Sequence, residues 1–121
     1  MTLETDFIAT TSGTGSSQLQ VFVSRVGSTT RVVMAGELDG AAAVSLTEQF
    51  RQLTTELVGD LVVDVGLLTF IDSTGLSLLV SLHKKVQASG HSLTIADPTP
   101  MARRLFQITA LDQVLTVGPS Q

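Results

Sequence analysis

One segment of the chain places an acidic residue, two hydroxyls and a glycine at a predicted helix start. It reads Phe70-Ile71-Asp72-Ser73-Thr74-Gly75-Leu76 and leads from a predicted loop into a helix. The first turn of a helix has unpaired backbone amides and about half a positive charge. A phosphate attached there is electrostatically compatible with the fold, so Ser73 and Thr74 are candidate phosphorylation sites. The simpler alternative, which spacing alone favours, is that the serine or threonine hydroxyl only caps the helix.

Catalysis by the Ser73 hydroxyl would require a base next to it. In a serine triad that base would be His83 or His91. At about 1.5 Å of rise per residue, His83 lies far along the helix that Ser73 begins, and His91 lies beyond its end. We expect both histidines at the surface or at strand ends. A small serine hydrolase is therefore the least favoured alternative, and the chain is not expected to be an enzyme.

Three carboxylates follow predicted strand ends or loops and could meet in space: Glu37, Asp39 and Asp72. A metal site built from them is one alternative. Carboxylates near helix starts more often accept hydrogen bonds from free amides, so helix capping is the favoured interpretation. The chain has no dinucleotide-binding glycine motif, no phosphate-binding glycine-lysine loop and no zinc-protease motif, and we expect neither a metal nor another cofactor.

The composition excludes several functional classes. With 121 residues, 43% of them apolar, the chain fits one domain with a substantial core. Seven basic and eleven acidic residues give a net charge of −4, which disfavours nucleic acid and anionic membranes as partners. The absence of cysteine rules out disulfides and thiol catalysis. Apolar runs are too short to span a bilayer and the N-terminus lacks signal-peptide features, so the expected compartment is the cytoplasm.

The elements that must position the Ser73 segment follow from hydrophobic periodicity. Alternating apolar residues predict strands over 18–26 and 31–35, joined by a tight antiparallel turn. Apolar spacings of three and four predict a helix after Asp39, which is a good N-cap. The remaining predicted elements are a strand at 61–65, an apolar loop at 66–72, a helix at 73–88, a strand at 92–96, a helix that opens at 97–100, and a strand at 115–117. Met101, Leu105 and Ile108 are expected to form the apolar side of this last helix.

This order, β-β-α-β-α-β-α-β, predicts an α/β domain with a mixed, mostly parallel sheet and helices packed on it. Residues 10–17 are polar and have no periodicity, which is typical of a linker. We therefore expect a flexible N-terminal arm over 1–17, a domain over 18–118 and a short C-terminal tail over 119–121.

Four of the seven basic residues form two adjacent pairs, Lys84-Lys85 and Arg103-Arg104, on predicted helices. Adjacent helical residues point about 100° apart, so each pair makes a wide solvated edge rather than a phosphate cradle. A role in solubility is the favoured interpretation, and a contact edge for an acidic partner is the alternative.

Three motifs in the right order resemble the STAS domain family, in particular the bacterial anti-sigma factor antagonists. The run Leu61-Val62-Val63-Asp64-Val65, followed by residues 70–76, looks like the family signature. Gly36-Glu37-Leu38-Asp39 is similar to the family motif at the end of the second strand. Met101-Ala102-Arg103-Arg104-Leu105-Phe106, followed by Leu111, resembles the third helix. The resemblance covers roughly residues 21–117 and implies a STAS-like fold.

The resemblance also implies a partner-switching mechanism in bacterial transcription regulation. The unphosphorylated antagonist binds an anti-sigma factor that is itself a serine kinase with a GHKL-type ATP fold, and a sigma factor is released. The kinase then phosphorylates the serine after the aspartate, the complex dissociates, and a metal-dependent serine phosphatase resets the antagonist. By position, Ser73 is the phosphorylation site and Thr74 the weaker candidate. The implied partner-binding residues are Gly36, Glu37, Asp39, Asp72, Ser73, Thr74 and Gly75.

A second interpretation keeps the fold and changes the partners. The chain would then be a STAS interaction module of a stressosome-type scaffold or a transporter-associated regulator that no anti-sigma kinase controls. The standalone length and the intact Asp72-Ser73 pair favour the antagonist. Many family members have a further helix after the last strand, for which the chain up to Gln121 leaves no room. The oligomeric state stays open between a monomer and a weak dimer.

Overall fold

The computed structural model describes residues 3–10 and 19–118 of the chain. Its elements, in order, are β1 (Leu3–Thr10), β2 (Leu19–Val26), β3 (Thr29–Leu38), α1 (Gly40–Thr55), β4 (Leu61–Ile71), α2 (Ser73–Ala88), β5 (Leu93–Ala96), α3 (Pro100–Ile108), a 3-10 turn (Leu111–Gln113) and β6 (Thr116–Gly118). None of the helices in these described ranges is both long and apolar enough to cross a membrane.

All six strands form one sheet, and their order in space follows their order in the chain. The pairs β1–β2 and β2–β3 are antiparallel, whereas β3–β4, β4–β5 and β5–β6 are parallel. Each parallel pair is joined through α1, α2 or α3, because a parallel connection needs a crossover. The predicted mixed, mostly parallel sheet with packed helices is confirmed.

The strand pattern shows why one face of the sheet is covered. In β2 the residues Leu19, Val21 and Val23 are buried, and the residues between them are more exposed. This period of two places one set of side chains under the helices. The same core includes residues from β3, β4, β5 and all three helices, among them Met34, Leu46, Val63, Leu79, Ile95 and Phe106.

The segment predicted as an apolar loop, 66–72, is strand up to Ile71. It continues β4 alongside β3, with register shifts between Val33 and Ala35 and between Gly36 and Glu37. Burial along β4 accordingly changes from every second residue to every third, at Leu68 and Ile71. The bulges break the alternation that identifies a strand in the sequence, which explains the wrong prediction.

Strand β1 lies inside the segment 1–17 that was expected to be a flexible arm, and it was not predicted. The edge of β2 offers unpaired backbone N–H and C=O groups, which pair with the backbone of β1. This pairing is between backbones, so it leaves little signal in the side-chain pattern of β1. The polar run at 11–17 and the predicted tail at 119–121 lie outside the described residues.

Candidate functional site

Two helices begin side by side at one edge of the sheet. Strands β3 and β4 are parallel and end together, because Leu38 pairs with Ile71. Each strand is followed by an aspartate and then by a helix, α1 from Gly40 and α2 from Ser73. The predicted motifs 36–39 and 70–76 therefore meet in space, as parallel strand ends must.

Asp72 connects the two helix starts through its two carboxylate oxygens. Oδ1 accepts a hydrogen bond from the Gly75 amide at 2.8 Å and caps α2. Oδ2 accepts one from the Gly40 amide at 3.0 Å, at the first residue of α1. The Asp72 amide also donates to the Leu38 carbonyl at 3.2 Å. One side chain thus satisfies amides of both helices, and its negative charge lies at the positive end of each.

Asp39 plays the corresponding part for α1 alone. Its Oδ1 accepts from the Ala42 amide at 3.0 Å, so the predicted N-cap is confirmed. The capping interpretation also holds for Asp72. Among residues 19–118 no group of three or more histidine, aspartate or glutamate side chains is placed to hold a metal ion.

Ser73 is the first residue of α2 and is exposed. The alternative that its hydroxyl caps the helix is wrong, because the Asp72 carboxylate occupies the cap. The Ser73 hydroxyl makes no hydrogen bond to any described residue. Thr74 is likewise exposed and lines a groove between α1 and α2. The Ser73 hydroxyl, which could accept a phosphate, is therefore exposed to solvent next to Asp72, whose carboxylate is held by two hydrogen bonds.

Gly75 is buried and lets α2 approach the end of β3 closely. A Cβ atom at this position would lie 2.5 Å from the Leu38 carbonyl oxygen and 2.9 Å from Leu38 Cγ. Any larger residue would force the helix start away from the strand. The sequence did not predict this packing role, because the family resemblance implied only that Gly75 contacts a partner. The sequence feature that could have indicated this role is a glycine in the first turn of a helix. Glycine is a poor helix former, so its presence there is favoured only where a side chain would not fit.

The motif 36–39 runs alongside the Ser73 segment. Gly36 has a φ of 114°, which favours glycine, and its carbonyl accepts from the Thr69 hydroxyl at 3.1 Å. Glu37 is half-buried and pairs with Phe70. Because Glu37, Asp39 and Asp72 all lie near the ends of β3 and β4, the surroundings of Ser73 are acidic.

Large apolar side chains are exposed near the same edge. Phe70 is 47% exposed, Leu67 on the same strand is 60% exposed, and Val44 on α1 is 74% exposed. Val44 and Thr74 line the groove between α1 and α2, whose volume is about 230 Å³. Exposed apolar residues grouped beside polar ones are typical of protein contact surfaces. The sequence signal was the unusually apolar segment before Asp72, which we predicted only to be an apolar loop.

The histidines differ from the prediction in one case. His83 is only 5% exposed, so the expectation of a surface position is wrong for this residue. It shares the wide inward face of α2 with Leu82 and Val86, and its Nδ1 has no hydrogen-bond partner among the described residues. His83 lies about 15 Å from Ser73 along the α2 axis, at 1.5 Å per residue. No base at hydrogen-bonding distance from Ser73 is found among the described residues.

The chain is similar in sequence to a known protein family. Residues 21–117 match a family model described as "Mlab, STAS domain". The anti-sigma-B factor antagonist of Bacillus subtilis (strain 168) is 33% identical over 88 residues, which cover 73% of this chain and 80% of that protein.

Solved structures show the same fold. An anti-sigma factor antagonist from Mycobacterium paratuberculosis superposes with a TM-score of 0.76 at 22% identity, over 85% of this chain and 87% of that one. The Bacillus cell fate determinant SpoIIAA in its phosphorylated form gives a TM-score of 0.64 at 21% identity, over 80% of this chain and 89% of that one.

Proposed function

Because the chain belongs to the STAS domain family, we propose that it is an anti-sigma factor antagonist whose binding to an anti-sigma serine kinase is switched off by phosphorylation of Ser73. One observation supports this most directly. The Ser73 hydroxyl lies at the start of α2, next to the capping residue Asp72; it is exposed and makes no hydrogen bond to a described residue. SpoIIAA, which shares the fold, exists in a phosphorylated form.

The unphosphorylated surface has the features of a contact site. The segments 36–39 and 72–75 lie together, with exposed Phe70 and Val44 beside them. We propose that the apolar side chains pack against the kinase and that the acidic groups face basic residues of the kinase. Binding of this surface to a GHKL-type kinase would release a sigma factor in the bacterial cytoplasm.

Phosphorylation would change this surface mainly through charge. A phosphoryl group adds about −1.5 to −2 charges at neutral pH. It would lie next to the Asp72 carboxylate and near Asp39, where like charges repel at a site that a partner must desolvate. Each 1.4 kcal/mol of lost binding weakens affinity about tenfold, so a few kcal/mol release the partner without refolding the domain. Exposure of Ser73 also allows a metal-dependent serine phosphatase to remove the group.

The direct test incubates the protein with ATP and its cognate anti-sigma kinase and maps the phosphate by mass spectrometry. We expect phosphate on Ser73, and on Thr74 only as a minor product. Ser73→Ala should bind the kinase without being released, whereas Ser73→Glu should bind poorly. Ser89→Ala, which removes an exposed hydroxyl at the opposite end of α2, is the control and should bind the kinase as the wild type does. Phosphate found only on residues remote from Ser73, or equal kinase affinity of both Ser73 variants, would contradict the proposal.

A further inference from the structure

A second groove runs along the other side of α2. It has a volume of about 460 Å³ and lies between α2 and the 3-10 turn that follows α3. Leu76, Val80 and Leu111 supply its apolar surface, and Lys84 lies at one end. Ser73 lies at the opposite end, about 16 Å away along the α2 axis at 1.5 Å per residue. The groove is thus long enough for about three turns of a second helix.

The two helices beside this groove have a charge opposite to that of the rest of the chain. α2 and α3 contain four of the seven basic residues, Lys84, Lys85, Arg103 and Arg104, and none of the eleven acidic ones. All four side chains are exposed, and none forms an ion pair with a residue in the described ranges. Of the four, Lys84 lines the groove itself, whereas Lys85 lines the groove between α1 and α2. Arg103 lines a separate pocket together with Asp112. The basic groups available to a ligand of this groove are therefore Lys84 and, on the exposed side of α3, Arg104.

The shape of the groove suits an α-helix better than a nucleic-acid backbone. Ser77 and Ser81 are one turn apart on the exposed side of α2 and line the groove with small side chains, which permit close approach of a second backbone. Ile108 is 68% exposed, directly before Thr109 in the groove wall. Arg104 is four residues before Ile108 and therefore lies on the same exposed side of α3.

We propose that the groove between α2 and the 3-10 turn binds an acidic amphipathic helix of a partner protein. The partner helix would have apolar residues at spacings of three and four. These residues would pack against Val80, Leu111 and Ile108. The carboxylates of the partner helix would face Lys84 and Arg104 at the rim. Nucleic acid fits this site less well, because the chain as a whole is negatively charged and the floor of the groove is apolar.

This proposal does not depend on phosphorylation of Ser73, so it is tested with the unphosphorylated protein. The probe is a synthetic amphipathic peptide of about four helical turns, with leucine on one side and glutamate on the other. The control peptide has lysine in place of every glutamate. Binding is followed by fluorescence anisotropy, and the contact surface is mapped by amide chemical-shift changes. We expect the acidic peptide to bind, with the largest shifts in α2 from Leu76 to Lys84 and around Leu111.

Charge reversal then separates this surface from general electrostatic attraction. Lys84→Glu combined with Arg104→Glu should weaken binding of the acidic peptide about tenfold, because two exposed attractive charge pairs become repulsive. The control is Arg51→Glu on α1, an exposed arginine outside the groove that pairs with Glu48, and it should change affinity less than about twofold. Both changed residues are exposed, so the fold should be retained.

Three outcomes would overturn the proposal. The first is equal binding of the acidic and the lysine peptides. The second is a set of chemical-shift changes confined to the edge around Asp72. The third is absence of peptide binding together with binding to vesicles that contain phosphatidylglycerol, lost in the doubly reversed variant; Lys84 and Arg104 would then contact a membrane surface. None of these results affects the Ser73 experiment, so the two proposals fail separately.

Discussion

Replacement of Gly75 by alanine tests the close packing that holds the Ser73 segment against the sheet. The added Cβ would lie 2.5 Å from the Leu38 carbonyl oxygen, 2.9 Å from Leu38 Cγ and 3.2 Å from Ile71 Cγ2. The first contact is with backbone, which cannot rotate away as a flexible side chain can. The start of α2 must therefore move outward relative to β3.

The size of the effect follows from two opposing contributions. Overpacking of a tight site costs about 1–3 kcal/mol. Alanine is a better helix former than glycine by up to about 1 kcal/mol, which offsets part of this cost. We expect Gly75→Ala to lower the free energy of unfolding by about 1–2 kcal/mol and Tm by roughly 5 °C for a domain of this length.

Gly40→Ala is the matched control, because Gly40 begins α1 at the same edge of the sheet. Its added Cβ would lie 3.7 Å from Thr74 Oγ1 and 4.0 Å from Asp72 Oδ2, which are ordinary contact distances. This variant should change stability by less than about 0.5 kcal/mol, or raise it slightly. Both are compared by thermal and urea denaturation. Equal stability of the two variants would show that α2 does not approach Leu38 as closely as described, and the packing role of Gly75 would be refuted.

Three other experiments test further contacts. Asp72→Ala should destabilise by about 2 kcal/mol, against about 1 for Asp39→Ala, because Asp72 accepts from two helix-start amides and Asp39 from one; equal losses in urea denaturation would contradict the bridge. His83→Leu should be neutral or stabilising by up to about 1 kcal/mol, since it removes a buried nitrogen without a described partner; a clear loss of Tm would reveal a partner. A double-mutant cycle of Arg31→Ala and Asp64→Ala should give a coupling energy of about 1 kcal/mol for this half-buried ion pair, whereas additive effects would show no coupling.

Local signals in the sequence were sufficient for most of the fold. The alternation of Leu19, Val21 and Val23 identified a strand, and Asp39 before an apolar stripe identified the start of α1. Such patterns depend on neighbours within a few residues, so they can be interpreted without a tertiary structure. The mostly parallel sheet then followed from the order of the elements, because strands separated by helices must return in the same direction.

Local sequence patterns predicted only part of the candidate site. The segment around Ser73 could be identified because its residue types and its helix start are local features. Assignment of the cap was not possible, since Asp72 and Ser73 are both suitable and only the geometry shows which oxygen meets the Gly75 amide. The second bond of Asp72, to Gly40, joins residues far apart in the chain and has no local signal.

The amino-acid sequence by itself determined the order of strands and helices from β2 onward, the acidic balance of the chain and the presence of a hydroxyl beside a carboxylate at a helix start. Only the tertiary structure decided that β4 continues through two bulges to Ile71, that Gly75 fits beneath Leu38 and that His83 faces inward. These features depend on which backbone lies opposite and at what distance. Periodicity within one segment has no information about a register shift or a close approach that a distant segment imposes.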